Sequence, residues 1–316
     1  MLSFLYFFSC ALVILLTVLG VSLGQSSIAQ GALKALNIQP RASNSIIKTA
    51  ILGMALTETS AILSLVLAFW LIFAKNPALV ANPYYGLAAL AIALAMSVPG
   101  FVVGIASSYP AQEACLAISR QPFIGNKISN LLLLSLSFIQ TPIIFGFIVS
   151  LFILYQASSI NSFPDAMRIL ASGIAIAFGG IGPALGLAMF SQSACRSVGY
   201  NKKAYQRIVT FTFISQAIIE TPIIFSLITS LILLTAGTTT SYLKAGAFIA
   251  SAISIGIGTF GPGVASGKTT SAACFQLAEN PDSSGSVSKT SMISQGFIDS
   301  CAIYAWLISL MLILFT

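Results

Sequence analysis

Four polar residues recur at nearly equal intervals through a strongly apolar sequence. Glu58, Gln140, Glu220 and Asp299 are separated by 82, 80 and 79 residues, and each lies ten or more residues from the nearest basic residue. An ionised carboxylate at the centre of a membrane costs roughly 2.5 kcal/mol or more on insertion scales. We therefore expect the three carboxyl groups to be protonated or ion-bound whenever they face lipid. A structural role, as polar residues hydrogen-bonded between helices, is the alternative, and three carboxyls at one height favour ion carriage.

The segments that hold these residues are long enough to span a membrane. The 316 residues are 57% hydrophobic and only 7% charged, whereas about a quarter of the residues in a soluble protein are charged. A transmembrane helix needs about 20 apolar residues, and continuous apolar segments exclude a β-barrel. The sequence predicts an all-α integral membrane protein with eight transmembrane helices and short loops. The helices are predicted near 3–29, 47–74, 84–112, 128–155, 167–192, 206–235, 245–268 and 290–315.

Several other functions are disfavoured by composition. The net charge of +7 is spread along the chain without a basic stripe, so we expect no nucleic-acid partner. The chain has no His and no CxxC pair, and its cysteines are expected to act as small packing residues. Residues 261–270 resemble a phosphate-binding loop, but Pro262 stands where that motif requires Gly. We expect no catalytic site and no metal or cofactor apart from a transported ion.

A second pattern, in register with the first, divides the chain into four repeats. An amide residue lies 19 residues before each of the four polar residues, and Pro follows it in three cases. The sequence thus predicts four helical hairpins, residues 1–76, 77–157, 158–237 and 238–316, which we number 1 to 4. In each hairpin a first helix leads through a polar loop to a second helix that carries the recurring polar residue. The amide and Pro positions are Gln39, Pro40, Gln121, Pro122, Asn201, Asn280 and Pro281.

Basic residues and glycines predict how the hairpins are oriented and packed. Eleven Lys and Arg residues flank the amide-containing loops, and only Lys75, Arg168 and Lys244 lie at the opposite end. Because basic residues stay on the cytoplasmic side, we expect the loops to face the cytoplasm or its organellar equivalent. Gly20, Gly182 and Gly261 lie 38 residues before a recurring polar residue, a spacing that predicts close packing of the first helices.

These features together resemble the c subunit of F-type ATP synthases. Arg120-Gln121-Pro122 matches the loop motif of that family, and residues 50–73 resemble its second helix; the resemblance covers essentially the whole chain, four times over. It implies a two-layer rotor ring of several copies, in which Glu58, Glu220 and Asp299 carry an ion past the a subunit of the stator. It also implies that the polar loops contact the central stalk, in a bacterial or mitochondrial inner membrane.

Gln140 departs from the family pattern, which has a carboxyl group at this position. Gln140 cannot release a proton, so hairpin 2 is predicted to be an inactive spacer.

The identity of the transported ion is predicted from residues of the first helices. Sodium-binding members of the family have Gln in the first helix, and Gln25 resembles that pattern. Hairpin 3 has Leu187 in the corresponding place, so we predict H⁺, with Na⁺ as the alternative. The predicted neighbours of the ion sites are Gln25, Thr59, Thr221 and Ser300.

Two other classes of protein fit the same helices. One is an eight-helix secondary transporter of cations, and the other is a structural membrane proteolipid. Secondary transporters have discontinuous helices around a central substrate site, whereas four equivalent hairpins with short polar loops favour the rotor.

Overall fold

Twelve α-helices form eight spans in the computed structural model, which describes residues 2–73, 82 and 84–316. Each span is long and apolar enough to cross a membrane, so the prediction of an all-α protein with eight membrane helices is confirmed. The predicted boundary at residues 76 and 77 lies outside the described residues. The helices are α1 (Leu2–Ile38), α2 (Ser43–Phe73), α3 (Tyr85–Ala106), α4 (Ser108–Arg120), α5 (Gly125–Ile139), α6 (Thr141–Gln156), α7 (Phe163–Gly179), α8 (Ile181–Tyr200), α9 (Tyr205–Thr235), α10 (Tyr242–Gly258), α11 (Phe260–Glu279) and α12 (Ser284–Leu314).

Prolines explain why four of the spans consist of two helices. Proline has no N–H, so the carbonyl four residues earlier loses its helical partner. The helices α3, α7 and α10 end four residues before Pro110, Pro183 and Pro262, respectively. The second span of hairpin 2 is interrupted at Gln140, two residues before Pro142. The corresponding Pro222 lies inside the continuous helix α9.

The four loops share one backbone conformation. Each amide residue is extended, with φ between −139° and −130°, and leads into a single turn of 3₁₀-helix. The carbonyl of the amide residue accepts a hydrogen bond of 3.1–3.2 Å from the residue three positions later. Pro fits the first position of such a turn because its missing N–H is not needed there. The four loops therefore repeat in structure as they do in sequence.

The first helices of successive hairpins pack closely against one another, and glycines make this possible. A Cβ added at Gly24 would overlap the Gly104 carbonyl, and one at Gly186 would overlap the Gly263 carbonyl. Within the single chain open space surrounds Gly261, so its close packing stays a prediction. At 3.6 residues per turn, Gly261 and Gly263 project about 200° apart, and Gly263 is the residue that faces hairpin 3.

One buried ion pair lies at the end of the helices opposite the polar loops. Asp165 and Arg168 are both buried at the start of α7. Arg168 donates to Asp165 at 2.8 Å and to the carbonyls of Leu233 and Leu234 at 2.8 and 2.6 Å. These carbonyls belong to the last turn of α9, where no intrahelical donor is available. The pair thus joins the two helices of hairpin 3 at the end opposite the loops.

The four hairpins form a row whose two ends are less buried than its middle. The apolar segments of the first spans are 67% and 72% buried in hairpins 2 and 3, but 39% and 44% buried in hairpins 1 and 4. The second helices of neighbouring hairpins meet directly: Thr49 of hairpin 1 and Ser129 of hairpin 2 share a hydrogen bond of 2.6 Å. The row therefore has two free lateral faces, one on hairpin 1 and one on hairpin 4.

Candidate ion-carrier sites

Gln140 is held by four hydrogen bonds between hairpins 1 and 2. Its amide nitrogen donates to the Leu56 carbonyl at 3.1 Å and to the Ser107 hydroxyl at 3.3 Å. Its amide oxygen accepts from Ser60 at 2.9 Å and from Thr59 at 3.4 Å. Because Gln140 is also buried, this position holds a neutral side chain that donates on one side and accepts on the other.

Glu220, which occupies the same position in hairpin 3, is held less tightly. Its carboxyl group is half-buried and lies near the Thr141 hydroxyl of hairpin 2. Two hydroxyl partners of Gln140 are missing here, because Leu187 replaces the acceptor Ser107 and Pro142 replaces the donor Ser60 in the repeat register. The site of Glu220 is consequently more open than that of Gln140.

Asp299 and Glu58 differ from both. The Asp299 carboxylate is buried and accepts a hydrogen bond of 3.3 Å from Ser266, in the first span of its own hairpin. Glu58 is exposed on the free lateral face of hairpin 1, and among residues 2–73, 82 and 84–316 no group donates a hydrogen bond to it. Gln25, predicted to neighbour this site, donates to the Met54 carbonyl at 3.4 Å, about one turn away.

In hairpins 1 and 2 the hydroxyl that follows the polar residue lies near the polar residue of the next hairpin. Thr59 donates to the Leu56 carbonyl at 2.6 Å and also contacts Gln140 at 3.4 Å, and Thr141 lies near Glu220. Thr221 and Ser300 donate to carbonyls of their own helices, at Ala217 and Phe297. The Asp299 bond to Ser266 corresponds to the Gln140 bond to Ser107, because both serines lie 33 residues before the polar residue.

A family model for the C subunit of ATP synthase matches the chain four times, over residues 8–71, 88–153, 170–233 and 249–312. The chain belongs to the ATP synthase C-subunit family. Each match lies within one of the four predicted hairpins, whose boundaries stay a prediction. The chain is therefore a multi-pass integral membrane protein built from four hairpins that each resemble a c subunit.

Known c subunits each correspond to about one hairpin of this chain. The ATP synthase c subunit of Gloeobacter violaceus is 33% identical over 69 residues, which are 84% of that protein and 22% of this chain. The ATP synthase c subunit of Microcystis aeruginosa is 33% identical over 71 residues, 88% of its length and 22% of this chain. The ATP synthase c subunit of Thermosynechococcus vestitus is 31% identical over 71 residues, 87% of its length and 22% of this chain.

In this C-subunit family member the four polar loops, which are the predicted contact with the central stalk, lie at the same end of the membrane helices. Arg120 donates to Glu113 at 2.9 Å and lies 5.1 Å from the ring centre of Tyr200 in the next hairpin. Asn201 donates to the Ala278 carbonyl of hairpin 4 at 2.8 Å. Phe123, which follows Pro122, is 98% exposed. These contacts join the loops of neighbouring hairpins. Phe123 presents an apolar side chain at the surface of the loops.

Two kinds of functional residue were missed from the sequence. Ser60 makes the shortest hydrogen bond to Gln140, and its place in the register, 80 residues before Gln140, was the available signal. Gln216 and Gln295 are fully buried one turn from Glu220 and Asp299, and an amide four residues before an acid in two hairpins was the signal. Within the described part of the chain, no three His, Cys, Asp or Glu side chains converge to hold a metal ion.

Proposed function

We propose that the chain is an ion-carrying rotor subunit of a rotary ATP synthase or ATPase, with Glu58, Glu220 and Asp299 as the carriers. The surroundings of Gln140 carry this proposal. A protonated Glu has nearly the shape of Gln, with one O–H donor and one carbonyl acceptor. A site that surrounds Gln with matching acceptors and donors is therefore suited to a protonated carboxyl at the equivalent positions.

The same surroundings support H⁺ as the transported ion. Sodium binds several oxygen ligands at once, whereas a proton needs only the carboxyl and one acceptor. In hairpin 3 the first-span position is Leu187, and the residue two positions after Gln140 is Pro142, so neither supplies a side-chain oxygen to Glu220. A proton carrier works in such surroundings.

Several copies of the chain would form the ring. Glu58 is exposed at one free lateral face, and Ser300 follows the carrier Asp299 near the other. If hairpin 4 of one copy packs against hairpin 1 of the next, Ser300 takes the place beside Glu58 that Thr59 takes beside Gln140. The ring would then contain a multiple of four hairpins, and closed cyclic symmetry is the expectation. Three chains would give 12 hairpins with nine carriers.

The proposed contacts with the central stalk and the stator are assigned from the loops and from the exposed side of Glu58. The loops, with Phe123 exposed and basic residues around them, are the proposed contact with the central stalk on the cytoplasmic or matrix side. The exposed side of Glu58 is the proposed contact with the stator. The bacterial or mitochondrial inner membrane is the proposed location, because a rotary ATP synthase works there.

Carbodiimide labelling of purified rings tests the carrier assignment. The reagent modifies protonated carboxyls that face lipid, so it should label Glu58, Glu220 and Asp299 and leave the exposed loop residue Glu279 unmodified at the same pH. Labelling should stop proton uptake by proteoliposomes that contain the whole complex. Protection of Glu58 and Glu220 by millimolar Na⁺ at neutral pH would replace H⁺ by Na⁺. Failure of the chain to co-purify with a soluble ATPase would favour a secondary transporter or a structural proteolipid.

A further inference from the structure

Two second helices carry a buried polar row that leads from the carrier toward the loop. In α9 the row is Thr212, Gln216 and Glu220; in α12 it is Ser291, Gln295 and Asp299. The spacing of four residues puts each row on one helix face, with steps of about 6 Å along the axis. Each row combines a hydroxyl, an amide and a carboxyl in the same order, and we call it a polar ladder.

The other two hairpins have apolar residues in the same register. The residues four and eight positions before Glu58 are Met54 and Ala50, and those before Gln140 are Leu136 and Leu132. The hairpins thus fall into a pair with ladders, hairpins 3 and 4, and a pair without them. Because hairpins 1 and 2 fold with apolar residues at these positions, packing alone does not explain the amides in hairpins 3 and 4.

The ladder of hairpin 4 is hydrogen-bonded to the helix that carries the ladder of hairpin 3, and that ladder is bonded to α8. Gln295 donates to Ser215 of α9 at 3.4 Å, and Gln216 donates to Ser191 of α8 at 2.7 Å. Both amides and both serines are fully buried. The hydrogen bonds therefore connect three helices at a depth between the carriers and the loops.

Three polar atoms of the ladders are buried without a partner. They are the amide oxygens of Gln216 and Gln295 and the hydroxyl oxygen of Thr212, and all three side chains are fully buried. A buried polar group without a hydrogen bond costs about 1–3 kcal/mol, and buried water commonly supplies the missing bond in proteins. The amide oxygens need donors, and one water has two. Two hydrogen bonds of about 2.8 Å placed end to end also span roughly the 6 Å between successive ladder residues.

We propose that the two ladders bind buried water and give Glu220 and Asp299 a hydrated route to the loop end that Glu58 lacks. The proton that leaves a carboxyl passes to the first water, and an equivalent proton leaves the last water at the loop end. This route rests on the proposed function only in treating Glu220 and Asp299 as carriers. Water at the ladders is a property of the folded chain and is measured without transport.

The test compares two serines that differ in the presence of a ladder. Ser215 and Ser135 are both fully buried and occupy the same place in hairpins 3 and 2. In a chain whose five native cysteines are replaced by Ala, Ser215→Cys and Ser135→Cys are reconstituted in liposomes and exposed to Ag⁺ in chloride-free buffer. Ag⁺ is close to water in size and binds thiolates, which form where a thiol is in contact with water. Its incorporation into the protein is followed by mass spectrometry. We expect at least about tenfold faster incorporation at Ser215→Cys, since Ser215 adjoins two amides whose oxygens need donors, whereas the unpartnered Ser135 hydroxyl lies beside Leu136 and no amide.

Two further variants assign the difference to the ladders. Gln216→Leu with Gln295→Met installs the residues found in hairpins 2 and 1, and should lower incorporation at Ser215→Cys to the level of Ser135→Cys. Leu136→Gln should raise incorporation at Ser135→Cys, which keeps the test decisive if the double variant fails to fold. Equal rates at the two serines, or rates unchanged by both sets of variants, would overturn the proposal. Protection by Na⁺ but not by choline would assign the site to a cation and overturn it as well.

Failure of this inference and failure of the carrier assignment give different results. If Glu220 and Asp299 label with carbodiimide and the complex pumps, but both thiols react alike, only the ladders are wrong. If Ser215→Cys reacts faster while neither carboxyl labels, the water is present and the carrier assignment is wrong.

Discussion

The sites of Gln140 and Glu220 occupy nearly identical sequences and differ in how firmly they are held. The segments 138–154 and 218–234 are close copies that lie 80 residues apart. Gln140 makes four hydrogen bonds and is buried, whereas Glu220 lies near the Thr141 hydroxyl and is half-buried. The framework is common to both, so the difference lies in the side chains that meet the polar residue.

The neighbouring hairpin decides whether a site is closed or open. Ser60 of hairpin 1 donates to Gln140, while hairpin 2 offers Glu220 a proline at the corresponding place, Pro142. An amide can donate and accept at once, but an ionised carboxylate only accepts. A closed site would trap a carboxyl in its protonated form, and an open one lets it exchange. Hairpin 2 thus has the features of a fixed spacer, and hairpin 3 those of a carrier.

The largest effect is expected when Glu220 is made to resemble Gln140. Glu220→Gln removes one exchangeable proton while keeping the side-chain shape, and every carrier must exchange as the ring turns. Proton flux into proteoliposomes should fall by about a hundredfold, since a neutral amide cannot load or release an ion in the membrane. The matched control is Glu279→Gln, at an exposed position. Flux that survives Glu220→Gln in an intact ring would show that Glu220 is not a carrier.

A smaller effect is expected from glycines in the interface between hairpins 3 and 4. In Gly186→Ala the new Cβ overlaps the Gly263 carbonyl, so the backbones must separate. Overpacking of this kind costs about 1–3 kcal/mol. Both variants are compared in the isolated chain, where Gly261→Ala is the control because open space surrounds Gly261. Thermal unfolding in detergent should show a lower Tm for Gly186→Ala alone, and equal Tm values would contradict the close packing.

The closed site itself is tested by Ser60→Ala. This change removes the 2.9 Å hydrogen bond to the buried Gln140 oxygen and leaves that oxygen with Thr59 at 3.4 Å. We expect a loss of about 1 kcal/mol in stability. Ser137→Ala should have almost no effect, because the exposed Ser137 bonds only within its own helix. The comparison between the two sites fails if both variants unfold at the same temperature.

The smallest effect concerns the number of carriers. Gln140→Glu adds a fourth carboxyl to three, so the number of ions moved per ATP should rise by one third while the ring stays intact. The ratio is obtained from the proton gradient at which net ATP turnover in proteoliposomes vanishes. Because Ser60 closes the site, the added carboxyl is expected to exchange slowly, and Gln140→Glu with Ser60→Ala should turn over faster at the same ratio. An unchanged ratio in an intact ring would refute the spacer assignment.

The membrane helices, the polar loops and the positions of the recurring polar residues were predicted from the sequence, because each depends on residues close together in the chain. Apolar length alone determined the eight membrane helices, because a segment of about 20 apolar residues in lipid must satisfy its backbone internally. The amide-Pro pairs predicted the four loops, whose backbone angles agree closely. The positions of Glu58, Gln140, Glu220 and Asp299 in the second helices followed from the repeat register.

Only the tertiary structure decided which side chains meet. Thr59 adjoins Glu58 in sequence but contacts Gln140 of the next hairpin. Gly263, and not Gly261, faces hairpin 3. Asp165 and Arg168 are buried as a pair. Helix formation depends on neighbours within four residues, whereas a contact between helices depends on the rotation of each helix about its axis. Neighbouring residues point about 100° apart, so a small rotation exchanges one partner for another. The prolines that interrupt several spans alter that rotation in ways that no local pattern specifies.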